Sequence, residues 1–365
     1  YRRLFYKPSS GVATDHTLYI AHFWRPMTID GVDHIHVKNM RIENSAGRNL
    51  ITISNAQGIR IVDSELGWSV SDGIEVGLNS DDGYIGGNEI HDVGNGIYFE
   101  SKFADTNDHH DNWTITNNHI HDVYGTGDSH CIGMQSSINN QITFNHLHDC
   151  AGSGMTFYSW GHGHQIKNNY VAFNDIHDIH DIGGYGNQYG IEYGNTNCPQ
   201  HPDDTMGNVV AYNKISNVDN HGIHSKSSAS TVPGTYSWSF LNNVISNTGD
   251  GLYWTDGAAY GELPDGTPDC GAANRIQALS NTGFRAQNNI FIDTVNRFVV
   301  PQRLNPSGQD DDHSGIVMTN NLYYSSTGGG AFTWQAKEDA DLEVNCNAAG
   351  GSYDAPVFAC TVSSL

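Results

Sequence analysis

One short segment recurs along most of the chain, and it limits the possible folds more tightly than any other feature. It reads Gly87-Asn88-Glu89-Ile90-His91-Asp92, Asn117-Asn118-His119-Ile120-His121-Asp122, Phe144-Asn145-His146-Leu147-His148-Asp149 and Phe173-Asn174-Asp175-Ile176-His177-Asp178. Looser copies follow at Tyr212-Asn213-Lys214-Ile215-Ser216-Asn217, Asn242-Asn243-Val244-Ile245-Ser246-Asn247, Asn288-Asn289 and Asn320-Asn321, with an earlier cousin at Lys38-Asn39. The repeated Asn returns after 30, 27, 29, 39, 30, 46 and 32 residues. A unit of this length with no helical period cannot bury an apolar face by itself, so copies must stack.

Between the copies runs a second series, usually opened by Gly: Gly73-Ile74-Glu75-Val76, Gly96-Ile97-Tyr98-Phe99, Cys131-Ile132-Gly133-Met134 and Gly154-Met155-Thr156-Phe157. It continues as Gly190-Ile191-Glu192-Tyr193, Gly222-Ile223-His224-Ser225 and Gly251-Leu252-Tyr253-Trp254. Each repeat therefore holds two or three strands of about four residues, with alternation sending aliphatic side chains inward and polar ones outward. Propeller blades need four antiparallel strands in about 40 residues. These units are shorter, and their irregular excess follows the Gly-opened run. The pattern predicts an all-β chain forming a single right-handed parallel β-helix of about ten coils, with long loops on one side.

The Asn-Asn-x-Ile turn resembles the internal asparagine ladder of the pectate lyase-like parallel β-helix superfamily, over about residues 30–335. Stacked amides of that kind satisfy buried turn backbone. The resemblance implies a carbohydrate-active protein. Residues 1–29 are expected to be a first coil or the remnant of a removed module, 30–335 the β-helix and 336–365 a C-terminal cap.

Composition agrees. Gly (41) and Asn (37) are poor helix formers, and no apolar run approaches the roughly 18 residues of a membrane span. The formal charge of −23 argues against nucleic acid and anionic membranes as partners. Six widely spaced cysteines without CxxC pairs fit three disulfides in a secreted, extracellular or periplasmic protein, as does a chain opening at Tyr1 without a signal peptide. The expected pairs are Cys346–Cys360, closing a small terminal loop; Cys198–Cys270, in long loops leaving one face two coils apart; and, by elimination, Cys131–Cys150. Nothing in the pattern speaks to oligomeric state.

The His-Asp pairs at 91, 121, 148 and 177 could align on one face and bind a metal. Ser-Asn replaces them in later copies, so they read as a structural turn position. The Gly-opened runs are more informative. Stacked in register, they place Glu75, Tyr98, Gly133, Thr156, Glu192, His224 and Tyr253 in one outward column, and Gly77, Glu100, Gln135, Tyr158, Gly194, Lys226 and Thr255 in the next. Aromatic faces suit sugar rings and carboxylates suit hydroxyls. The insertions 102–111, 195–207, 227–235 and 256–283 would wall such a groove.

Two chemistries compete there. Hydrolysis needs a proton donor and a second carboxylate, and Glu75, Glu100, Glu192 and Asp256 are available. Elimination needs a base beside a uronic carboxylate. Ile223-His224-Ser225-Lys226-Ser227-Ser228 resembles the strand that carries the basic residue in alginate- and chondroitin-cleaving β-helix lyases, although Tyr253-Trp254-Thr255 stands where those families place an Arg. The expectation is a secreted enzyme acting on a polysaccharide, a glycoside hydrolase first and a polysaccharide lyase second. Catalysis is placed on Glu192, His224, Lys226 and Tyr253, with Glu75, Tyr98, Glu100, Gln135, Tyr158, Trp254 and Asp256 binding substrate. A non-catalytic sugar-binding, adhesive or self-assembling β-helix is the third reading. No cofactor is required, and calcium is possible at acidic loops such as Asp81-Asp82, Asp203-Asp204 and Asp310-Asp311-Asp312.

Overall fold

The computed structural model describes residues 25–101, 109–125, 129–159, 165–181, 188–195, 205–226, 238–255, 261–262, 268–269, 284–294, 297–302, 317–324 and 343–344. Among them every regular element is a strand, and no helix is long and apolar enough to cross a membrane. Apart from one two-residue antiparallel pair, Gly261–Glu262 with Pro268–Asp269, all pairings are parallel. The fold is a parallel β-helix.

Each coil presents three main faces. Among the described residues, face 1 stacks eleven short strands, from His36–Lys38 through Thr114–Thr116 and Asn208–Ala211 to Glu343–Val344. Face 2 carries the His-Asp segments, as in Glu89–Val93, His119–Val123, His146–Cys150 and Asp175–Ile179. Face 3 carries the Gly-opened runs, as in Asp72–Val76, Asn95–Phe99, His130–Gln135, Ser153–Ser159 and Tyr189–Asn195. In two later coils a single long strand, Lys214–Lys226 or Val244–Thr255, turns from face 2 into face 3. Parallel pairing begins at Met27–Asp30, which stacks on Ile51–Ser54.

The inward residues form one continuous core, with Ile61, Ile85, Ile115 and Ile142 from face 1, Ile90, Ile120, Leu147 and Ile176 from face 2, and Ile74, Ile97, Ile132 and Met155 from face 3. The corners explain the Asn-rich sequence. Between faces 1 and 2 the first residue of each pair is left-handed (Asn117 φ 55°, Phe144 60°, Phe173 60°, Tyr212 58°), a conformation Asn tolerates far better than most residues. The second residue is buried. Asn88, Asn118, Asn145, Asn174, Asn213, Asn243, Asn289 and Asn321 form a ladder in which each Oδ1 accepts from both the backbone N–H and the Nδ2 of the preceding member, at 2.9–3.1 Å. Each Nδ2 also donates to a face 1 carbonyl one coil back, as Asn145 does to Ile115 at 3.0 Å. A second ladder, Asn140–Asn169–Asn208, lines the corner leading into face 1.

The glycines opening face 3 have a steric reason. A Cβ on Gly154 would lie 2.5 Å from Ile176 Cγ2, and one on Gly190 2.4 Å from Ile215 Cγ2. Where Cys131 stands in that series, it bonds Cys150 at the end of a face 2 strand, and both are fully buried. This is one of the three expected pairs. Cys198, Cys270, Cys346 and Cys360 lie outside the described residues.

Candidate functional site

Face 3 stacks in the expected register. Parallel partners run Glu75–Tyr98, Tyr98–Gly133, Gly133–Thr156, Thr156–Glu192, Glu192–His224 and His224–Tyr253. The neighbouring column pairs Gln135 with Tyr158, Tyr158 with Gly194, Gly194 with Lys226 and Lys226 with Thr255. Lys226 and Trp254 are placed by their backbone alone; Asp256 and most of the four insertions fall outside the described residues.

The outward side is not a bare polar surface. Glu192 retains 7% exposure, His224 3% and Thr156 1%. His224 Nδ1 lies 3.6 Å from Glu192 Oε1, and Thr156 Oγ1 donates to Glu192 Oε2 at 3.5 Å and contacts His130 Nδ1 at 3.0 Å. A second imidazole–carboxylate pair lies beside the first, with His221 Nδ1 3.2 Å from Asp250 Oδ2. The His221 ring sits between Tyr189 and Tyr253, stacked at 5.3 and 4.0 Å, while Tyr189 also packs on His224 at 4.3 Å. Two imidazoles, two carboxylates and two phenols thus occupy three consecutive coils.

Further along the face, the Tyr98 and Tyr158 hydroxyls meet at 2.9 Å, and Gln135 Nε2 donates to both. Gly133 makes this possible: a Cβ there would sit 2.7 Å from a Tyr98 ring carbon, so only Gly lets the ring cross that coil. Burial above all raises the Tyr98 hydroxyl pKa, with the Tyr158 hydroxyl adding to it, so the phenol stays protonated. At the far end Glu75 accepts from Asn49 Nδ2. Burial pushes Asp72 up to about 7; its hydrogen bond from Asn95 works against this, and the Glu75 and Glu100 charges add to it. Glu75, Tyr98, Glu100, Gln135 and Tyr158 therefore form one polar group, separate from the Glu192–His224 group but joined to it through His130 and Thr156.

His130, Tyr189, His221 and Asp250 stand just ahead of the Gly-opened runs, outside the two columns that alternation marks. Counting back three from Glu192 assigns Tyr189 inward, yet its ring lies against His221 and His224 on the outer side. The signal was the residue in front of each run: Asp72, Asn95, His130, Ser153, Tyr189, His221 and Asp250 form a polar and aromatic series of their own.

Of the acidic loops, Asp81 and Asp82 are described. Their carboxylates accept from the Asp111 backbone N–H and from Asn112 Nδ2 at 2.8 and 2.9 Å, contacts that a solvated turn makes without an ion. Asp111 is pushed up to about 6, first by burial and then by these two charges.

No family model and no curated protein matches the chain. Among solved structures it is similar to XylC in complex with xylose, at 16% identity and TM-score 0.53 over 82% of this chain and 51% of that one. It is also similar to the Dettilon tailspike protein (12%, 0.45, over 82% and 56%) and to a double mutant of the periplasmic alginate epimerase AlgG (13%, 0.46, over 81% and 72%). The chain spans about half the length of the first two. The likeness is one of fold. It is the parallel β-helix.

Proposed function

We propose that the chain is a carbohydrate-active enzyme that cleaves glycosidic bonds in a polysaccharide outside the cytoplasm, by hydrolysis. The observation carrying this reading is the array of buried Glu192, His224, Tyr189 and Asp250 with half-buried His221 and Tyr253 on a stacked face. Glu192 and Asp250 stand on strands two coils apart, about 10 Å along the axis at about 4.8 Å per strand. That strand spacing favours carboxyl groups farther apart than the ~5 Å of a pair that traps a covalent glycosyl intermediate, with room for a water. Glu192 would give its proton to the leaving oxygen and Asp250 would activate the water, each steadied by its imidazole. Tyr98, Tyr158, Tyr253 and Trp254 would stack on sugar rings, while Glu75, Glu100, Gln135 and Asp256 would receive hydroxyls. The XylC complex with xylose, of the same fold, and the Cys131–Cys150 bond support the substrate class and the oxidising compartment. The reading needs no cofactor; calcium would serve only at the acidic loops.

Elimination on a uronic-acid glycan is the second reading, favoured by the phenol rings packed on His224. There His224 or Lys226 would take the proton and Tyr253 would supply one to the leaving oxygen. Turnover on a polysaccharide panel separates the two: new reducing ends without an unsaturated uronate chromophore support hydrolysis, and the chromophore supports elimination. Glu192→Gln and Lys226→Ala, each checked for folding by melting temperature, test the placement. If both fold and keep most of their activity, the site is elsewhere. Glycan binding without turnover would leave the sugar-binding reading instead.

A further inference from the structure

Face 2 carries a second set of imidazoles that the reading above does not use. Two columns run side by side. In the inner one His91, His121, His148 and His177 stack ring on ring at 5.5, 5.1 and 5.1 Å. Each donates its Nδ1–H to the carboxylate of the Asp that follows it, at 2.6–2.9 Å. In the outer column Glu89, His119, His146 and Asp175 pair in register. Side chains of successive coils meet on the diagonal: Glu65 with His91, Glu89 with His121, His119 with His148 and His146 with His177. The first two diagonals oppose a carboxylate to an imidazole. The last two set Nε2 against Nε2 at 2.8 Å, with no carboxylate between them.

An imidazole whose Nδ1–H is held by a carboxylate keeps its Nε2 lone pair outward, which is how metal-binding histidines are oriented. His119, His146 and His148 each offer a ligand atom within 4.8 Å of the others. We infer that these three histidines bind one divalent transition-metal ion of the zinc class per chain, with Asp149 as the positioning carboxylate. Imidazole suits zinc, copper and nickel, whereas calcium and magnesium prefer oxygen. Nε2 atoms 2.8 Å apart need to part only slightly to bind one ion at about 2.0–2.1 Å each.

Two mixed sets share members with this one: Glu89, His119 and His121, and His146, Asp175 and His177. They are weaker candidates. Asp175 is already engaged by Lys214 Nζ at 3.1 Å through both oxygens, and the Glu89 side chain is 53% exposed. Because His119 and His146 are shared, filling the central set excludes both others. The stoichiometry therefore discriminates: one ion for the three-imidazole set, two for the mixed ones.

The test is calorimetric titration of the full chain, stripped with a chelator, with zinc chloride alone. The expected result is one ion per chain with micromolar or tighter affinity, weakened at least tenfold in His119→Gln and His148→Gln. Asp149→Asn keeps all three imidazoles and should weaken binding 10- to 100-fold. His91→Gln, outside all three sets, should bind as the parent does. Should a His variant fail to fold, as judged by circular dichroism, Asp149→Asn and the nitrogen couplings of bound Cu(II) in electron paramagnetic resonance decide. No binding, undiminished binding in the folded variants, or two ions lost on Glu89→Gln and Asp175→Asn would each overturn the assignment. None of these readouts depends on glycan turnover.

Discussion

Replacing Asn145 by Ala tests whether the amide ladder holds the solenoid together. The substitution removes four hydrogen bonds: from the Asn118 backbone N–H and Nδ2 to Asn145 Oδ1, and from Asn145 Nδ2 to Ile115 O and Asn174 Oδ1, all at 3.0 Å. Asn118 Nδ2 keeps its bond to Ile85 O, and Asn174 Oδ1 keeps the Asn145 backbone N–H. The group stranded is the Asn118 N–H, in a residue 1% exposed; the Ile115 carbonyl, fully buried, stays within the parallel ladder of face 1. Four net bonds at about 1 kcal/mol each put the loss at about 4 kcal/mol, of which the stranded N–H accounts for about 1–3 kcal/mol. Asn145→Asp is the sharper probe. It keeps the acceptor for Asn118 but turns an oxygen toward two others, at Ile115 and Asn174, so at pH 7 it should cost at least as much as Ala. Near pH 4 the protonated acid can donate once, and part of the loss should return. Urea denaturation at both pH values, with single-transition behaviour verified by two probes, measures this. A loss under about 1 kcal/mol for Ala, or no recovery of Asp on acidification, would refute the account of the ladder.

Other consequences concern charge, crosslinking and metals. Asp72, held near pKa 7 chiefly by burial, favours the folded state fully below its unfolded value near 4 and loses that contribution as pH rises through 7. Asp72→Asn should therefore be close to neutral at pH 4 and stabilising at pH 8, by on the order of 3–4 kcal/mol at most; melting temperatures of both proteins across that range check the sign. Breaking Cys131–Cys150, which spans 19 residues, with Cys131→Ala and Cys150→Ala together should cost about 3 kcal/mol. Unreduced peptide mapping should recover that bond. Chelator treatment should leave glycan turnover unchanged, since the proposed catalytic groups on face 3 are proton donors and acceptors; a loss restored by calcium would point to the acidic loops.

The ladder and the face 3 register were legible in the sequence because both follow from period alone. An Asn in the same corner every turn, and an aliphatic–polar alternation after it, fix which residues face inward and which neighbours touch. Glu192 beside His224 follows from that register, and so does Tyr98 beside Glu75. The pairing of His221 with Asp250 does not. Those residues precede the glycine that turns the corner, where alternation fails: in the long strands the register shifts between Val218 and His221. Burial was also hidden, since nothing in a polar column tells that Thr156 and Glu192 are covered.

The histidines illustrate the same boundary from the other side. Read along the chain, the His-Asp pairs looked like interchangeable turn residues, and for His91 that description holds: its partners are its own Asp92 and the Glu65 carboxylate. What distinguishes His148 is a residue 29 positions away. His119 occupies the place that Glu65 and Glu89 hold in earlier coils, and the change from carboxylate to imidazole turns a charge pair into two facing nitrogens. The inner ladder supplies oriented imidazoles in four coils, but only the coils whose outer column also switched to His can assemble three ligands. The inner column keeps His through four coils while the outer one changes from coil to coil; chemistry specific to this chain is therefore expected where the varying column meets the repeating one. Converting Glu89 to His would extend the facing-nitrogen pattern by one coil, opposite His121; since that set shares His119 with the central one, it should add no second ion but should restore zinc binding to His148→Gln, without altering the stability by more than about 1 kcal/mol, as surface substitutions ordinarily do. A double variant that folds normally and regains no zinc binding would show that facing imidazoles alone do not make the site.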